Sequence, residues 1–296
     1  MKNISASAFA DSKPHYELLD GLRGVAALVV ILYHIFEGYA FASNGTIDTL
    51  NHGYLAVDFF FILSGFVIGY AYDDRWGKGL TMKNFFKRRL IRLHPMVIMG
   101  AVLGAVTFYL QGCVQWDGTH IAISMVMLSL LCTMFFIPAM PGVGYEVRGN
   151  GEMFPLNGPC WSLFFEYIGN ILYALFIRRL SNKALAVLVA VLGVALTLFA
   201  VLDISGYGNI GVGWTLDGVN FIGGTLRMLF PFSMGMLLSR NFKPVKLKGA
   251  FWICTIIMIA LFAVPYLEGA KPFCVKLSLF LSGWEHREPQ LIRSQP

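Results

Sequence analysis

Apolar runs long enough to cross a lipid bilayer recur along nearly the whole of this chain, which narrows sharply what its 296 residues can fold into. A bilayer core about 30 Å thick takes roughly 20 apolar residues in a helix. Runs of that order fall near residues 21–40, 54–72, 95–110, 161–177, 184–202, 221–239 and 250–266, and a weaker one at 273–284 is too short to cross comfortably. Charged residues make up 14% of the chain and hydrophobic ones 56%, whereas a soluble domain carries about 25% charged residues. Backbone N–H and C=O groups in hydrocarbon must be satisfied within the segment itself, so the runs read as helices. The expected fold is all-α, a polytopic transmembrane helical bundle of about 7–8 spans.

Charge orients the spans. Residues 73–94 hold Arg75, Lys78, Lys83, Lys87, Arg88, Arg89 and Arg92 against Asp73 and Asp74, a net +5 in one segment. Lys and Arg accumulate on the cytoplasmic side, so this segment and the amino terminus are expected inside, in the cell (inner) membrane. A conflict then arises at the apolar run 121–138. If it crossed, the clusters around Arg178 and Arg240 would both lie outside. A re-entrant or interfacial hairpin there brings both inside, and such a hairpin is tolerable only against protein or a wet cavity. Residues 1–19 carry no secretory-signal pattern and are expected to form a cytosolic tail. Five cysteines and six histidines show no metal-like spacing, so no metal site is expected.

Ionisable side chains inside spans cost about 2.5–3.5 kcal/mol on insertion scales and therefore mark candidate sites. Arg23 and His34 are eleven residues apart, three turns plus about 20°, which puts them on one helix face about 16 Å apart along the axis. Asp58, one turn into the next span, and Glu166, five residues after Trp161, are expected at a depth similar to His34. That depth offers a base-capable imidazole with carboxylates able to orient it. Other partners stay open: Glu37 for His34, Trp161 or Tyr167 for Glu166, and interfacial water for Asp58. At the opposite end Arg88, Arg89 and Arg92 lie on an amphipathic stretch that Pro95 is expected to end. These guanidiniums, with Arg23, suit phosphate groups, which Arg binds bidentately. Basic residues in that position also serve topology and anionic lipid.

Four ordered segments carry a family resemblance. They are Leu19-Asp-Gly-Leu-Arg23-Gly-Val-Ala-Ala27 continuing to His34, Gly53-Tyr-Leu-Ala-Val-Asp58-Phe-Phe-Phe-Ile-Leu-Ser-Gly-Phe66, Phe86-Lys-Arg-Arg-Leu-Ile-Arg92-Leu-His-Pro95, and Leu156-Asn-Gly-Pro-Cys-Trp-Ser-Leu-Phe-Phe-Glu166-Tyr167. Together they resemble the acyltransferase 3 family of multispanning membrane proteins that O-acylate envelope and exported glycans. The resemblance implies an acyl-CoA donor, most often acetyl-CoA, as substrate with no permanently bound cofactor. It further implies a carbohydrate acceptor and membrane lipid as partners, and no nucleic-acid partner. It makes His34 the matched catalytic position and Arg23 its partner on the donor side. Asp58 and Glu166 match as further catalytic positions, and Arg88, Arg89 and Arg92 as donor-binding ones.

Residues 20–284 are then the transmembrane acyltransferase domain and 285–296 a polar tail. Ala56 stands where the family more often has Gly. Family members usually have about ten spans, so the chain is expected to be shortened by about two helices. The rival expectations are a proton-coupled transporter, since His and carboxylates at mid-membrane also suit proton relays, and a shortened inactive paralogue.

Overall fold

A computed structural model describes residues 16–42, 52–241 and 247–264. The expected run 273–284 and the two terminal tails lie wholly or mostly outside these residues. Among the described residues eight α-helices follow one another: α1 Glu17–Ala42, α2 Ala56–Tyr72, α3 Met82–Leu110, α4 Ile123–Met134, α5 Cys160–Leu175, α6 Asn182–Val201, α7 Gly218–Asn241 and α8 Ala250–Phe262. Six of them, α1, α2, α3, α5, α6 and α7, are long and apolar enough to cross a membrane. The chain is a multi-pass membrane protein with an all-helical bundle.

Helix α4 has 12 residues, about 18 Å at 1.5 Å per residue, and does not reach across. It packs against α3, so α3 and α5 meet at the same end of the bundle. Residues 135–159 return from α4 as irregular backbone and form a cap over that end. The cap is tied to the α6–α7 loop, with Met153 N–H donating to the Trp214 carbonyl at 2.8 Å. At the other end Arg240 Nε donates to Asp73 Oδ2 at 2.7 Å and Tyr173 Oη to Asp73 Oδ1 at 2.8 Å. Arg178 lies 4.2 Å over the Trp76 ring. All the basic clusters of the described loops therefore share one end, hereafter the basic end, as the non-crossing reading of 121–138 requires.

Pro95 does not end a helix. α3 runs unbroken through it for 29 residues. Thr81 starts it by accepting from Asn84 N–H at 3.2 Å, a regular N-cap. Proline removes one backbone hydrogen bond, whereas a break at membrane depth would leave several groups unsatisfied, so the helix continues.

The most extensive helix–helix packing joins α2 to α7. A Cβ added to Gly65 would fall on the backbone carbonyl of Phe232, and one added to Gly235 on the carbonyl of Ile62. The two backbones touch because neither position carries a side chain, the small-residue contact by which membrane helices approach closely. Gly24 on α1 has nothing within 4 Å of its virtual Cβ. Gly65→Val should therefore cost stability at or beyond the upper end of the about 1–3 kcal/mol typical of overpacking, because backbone and not a rotamer must yield. Gly24→Ala should be neutral. Thermal denaturation followed by size-exclusion in detergent compares the two.

Candidate active site

Arg23 and His34 of α1, Phe61 and Ser64 of α2, Arg89, Arg92 and Met96 of α3, and Asn157, Trp161 and Glu166 at and within α5 face one cavity of about 530 Å³. A second, of about 330 Å³, adjoins it and shares Arg23 and Arg92, adding Arg75, Tyr16 and Tyr70 at the basic end. Arg23 and His34 thus share a face, as their eleven-residue spacing requires.

His34 Nδ1 lies 2.8 Å from Glu37 Oε2, one turn along the same helix. Tyr33 Oη donates to the other oxygen at 3.4 Å. The tautomer that donates Nδ1–H to the carboxylate leaves the Nε2 lone pair free to accept a proton, the arrangement by which a carboxylate orients a catalytic imidazole. Arg23 Nη1 reaches Asp20 Oδ1 at 2.6 Å.

The two more distant carboxylates are engaged elsewhere. Glu166 Oε1 accepts from Arg89 Nη2 at 2.5 Å and from Ser64 Oγ at 2.6 Å. It lines the same cavity as His34 but neutralises a guanidinium that is only 3% exposed. Arg89 Nε is buried with no protein partner. Asp58 is not on the cavity wall. Its oxygens accept from Arg227 of α7, Nη2 at 2.6 Å and Nε at 3.3 Å. The expected convergence of Asp58 with His34 is corrected by this pair: similar height along two helices says nothing about the direction in which each side chain leaves. Arg88 lines neither cavity. About 100° of helix rotation separates neighbours, so Arg89 turns into the bundle while Arg88 is exposed.

Arg227 was missed. It is 1% exposed, donates Nη1 to the Val212 carbonyl at 2.9 Å, and lies between the rings of Tyr54 and Trp161 at 5.4 and 5.2 Å. The signal was present: a lone arginine inside the apolar run 221–239 is by default a functional or pairing residue. Ser64 carried no comparable signal, since a single hydroxyl in a span has many local partners.

In the cap, outside the spans, burial pushes Glu152 up to about 7, helped by the negative charges of Glu146 and Glu37 and opposed by Asn150 and Arg148. Burial also raises Glu146. The carboxyl of Glu152 packs over Gly158, 3.1 Å from its virtual Cβ, beside the cavity-lining Asn157 and Pro159.

The family model for an acyltransferase domain, Acyl_transf_3, matches residues 16–284. The chain belongs to the acyltransferase 3 family and is an acyl-transferring membrane enzyme. It is 36% identical over 192 residues to "Protein 2 in picA locus" of Rhizobium radiobacter, covering 62% of this chain and 93% of that protein. It is 28% identical over 170 residues to Acyltransferase MdmB of Streptomyces mycarofaciens, covering 54% of this chain and 38% of that protein. Over 98 residues it is 38% identical to a Staphylococcus aureus (strain COL) protein provisionally named an O-acetyltransferase, SACOL0978, covering 31% of this chain and 14% of that one. The matches to these last two thus span well under two thirds of their length. No solved structure matches the chain.

Two outcomes follow from this geometry. Asp58→Ala leaves Arg227 buried and unpaired, so it should cost about 3–5 kcal/mol, and Asp58→Leu with Arg227→Met should recover most of that in thermal unfolding. For Glu152, the folded pKa lies above the ordinary carboxyl value, so the folded state holds the extra proton. Its contribution to stability should fall as pH rises from about 4.5 to about 7 and stay low above that. Glu152→Gln should flatten this slope and raise the melting temperature at pH 8.

Proposed function

We propose that this enzyme moves an acyl group, most simply acetyl, from acyl-CoA on the cytoplasmic side to a hydroxyl of an envelope or exported glycan on the far side. The observation that carries this reading is the shared cavity: Arg23 and His34 stand about 16 Å apart along one helix face, on the wall of one continuous space. The guanidiniums of Arg23, Arg92 and Arg75 mark the end suited to the phosphates of coenzyme A. The pantetheine arm, extended toward the cap, brings the thioester to His34. Accumulated Lys and Arg support the basic end, and with it the amino terminus, on the cytoplasmic side of the cell membrane.

In this mechanism His34 Nε2 takes the proton of the acceptor hydroxyl as its oxygen attacks the thioester carbonyl. The C–S bond breaks, and the departing sulfur takes the proton back from the imidazolium. Glu37 holds the ring and stabilises its charged form, while Arg89–Glu166 fixes α3 to α5 beside the reacting atoms. A general base contributes about 10²–10⁴-fold.

His34→Ala at normal protein level should therefore abolish ester signals in NMR spectra of envelope polysaccharide, relative to cells carrying the unaltered gene. Glu37→Gln should lower the acylation rate less, because it removes orientation and charge but keeps the base. Unchanged ester content in His34→Ala cells would overturn the mechanism.

A further inference from the structure

Asn157, in the turn before α5, lines the larger cavity. Both of its backbone groups are engaged: its N–H donates to the Phe154 carbonyl at 2.9 Å, and its carbonyl accepts from Cys160 N–H at 2.8 Å. Its side-chain amide has no hydrogen-bond partner among the described residues. Its neighbours on the wall do have partners. His34 is held by Glu37, Ser64 and Arg89 by Glu166, and Ser162 by the Pro159 carbonyl. The Trp161 ring lies against Arg227 and Phe61. The backbone N–H groups of Trp161 and Ser162, at the start of α5, donate back into the turn at 3.3 and 3.2 Å. The Asn157 carboxamide is thus left over, with two N–H donors unpaired, and a polar group without a partner at membrane depth is costly.

Packing fixes where this amide stands. Gly100 and Gly104 share one face of α3, since residues four apart lie one above the other, and the turn is laid against both. A Cβ on Gly104 would fall on the Leu156 carbonyl, and one on Gly100 would come 2.5 Å from Asn157 Nδ2. From the cap side the Glu152 carboxyl packs over Gly158, 3.1 Å from its virtual Cβ. Gly100 itself lines the cavity, so the donor end of the amide stands at the wall. It lies eight residues beyond Arg92, about 12 Å along α3, whereas His34 lies about 16 Å beyond Arg23 along α1. Arg23 and Arg92 both belong to the two adjoining cavities. The amide and the imidazole therefore stand at neighbouring levels of one space.

Attack on a thioester carbonyl pushes its π electrons onto oxygen, and a donor held in place before that charge develops lowers the barrier most. His34 carries the proton and does not serve this oxygen. We propose that Asn157 is a further catalytic residue, whose Nδ2–H donates to the thioester carbonyl oxygen as that oxygen becomes anionic. When the C=O bond re-forms, the C–S bond breaks and its electron pair leaves on sulfur, which takes the proton from the imidazolium. This rests on the acyl-transfer reading above and adds the group that stabilises the oxyanion. Because the bond strengthens only as charge develops, its loss falls on kcat and leaves KM.

The test uses inverted membrane vesicles from cells making the full-length protein, which retain the acceptor. Vesicles receive acetyl-CoA labelled in the acetyl group, and base-labile label in the vesicle fraction is followed against acetyl-CoA concentration. Asn157→Ala and the isosteric Asn157→Asp should lower kcat about 10²–10³-fold, with KM for acetyl-CoA within about twofold. Calorimetry on the purified variants should find coenzyme A bound as by the wild type. Gly100→Ala, which drives a methyl group into the amide, should lower kcat in the same way, and decides the matter if neither Asn157 variant elutes as a folded monodisperse peak. A kcat loss below about tenfold in the folded variants would overturn the proposal. So would a rise in KM that accounts for the whole loss, since that marks ground-state binding. Wild-type vesicles that incorporate no label would remove the acyl-transfer reading, and the proposal with it. Full incorporation by both wild type and variants removes the role of Asn157 alone.

Discussion

The bundle depends on one buried ion pair, Arg227 with Asp58. Desolvating two charges costs several kcal/mol per ion, and attraction offsets this only where geometry is good and the remaining donors are met. Arg227 meets those conditions through two bonds to the carboxylate, a carbonyl from the cap-end loop, and two aromatic faces. Its position on α7 locks α2 in rotation, and α2 is the floor of the cavity. The glycine contacts at Gly65 and Gly235 then allow the two backbones to touch along the same seam. Polar pairing sets the rotation, and small residues set the separation.

That constraint distributes the carboxylates. Asp58 is committed to Arg227 and Glu166 to Arg89, so each joins two helices. The imidazole is left with a partner from its own helix, Glu37, whose position follows from helix geometry and not from how helices pack. The reactive end is therefore built within α1, while its surroundings are built between helices. The remaining guanidiniums at the basic end, those of Arg23, Arg75 and Arg92, gather around a shared space, which is what an anionic substrate requires.

Much of the fold was legible from apolar run length. The spans, the non-crossing 121–138 segment and the shared end of the basic clusters follow from bilayer thickness and charge asymmetry, which act on each segment separately. Pro95 was misjudged because its effect depends on surroundings: in water it marks an end, whereas in lipid the unsatisfied backbone of a break costs more. In the site, Arg23 and His34 were readable because eleven residues of one helix have fixed rotation. Asp58 was not, because its partner depends on the rotation of one helix against another.

By itself the sequence determined which segments are helices, which end of the bundle is basic, and that His34 shares a face with Arg23. Each of these follows from local geometry or from the cost of charge in hydrocarbon. Tertiary structure alone decided which carboxylate serves which cation and that Arg227 anchors α2. These are azimuthal choices, and a sequence pattern that specifies depth along a helix leaves the facing neighbour to be settled by packing.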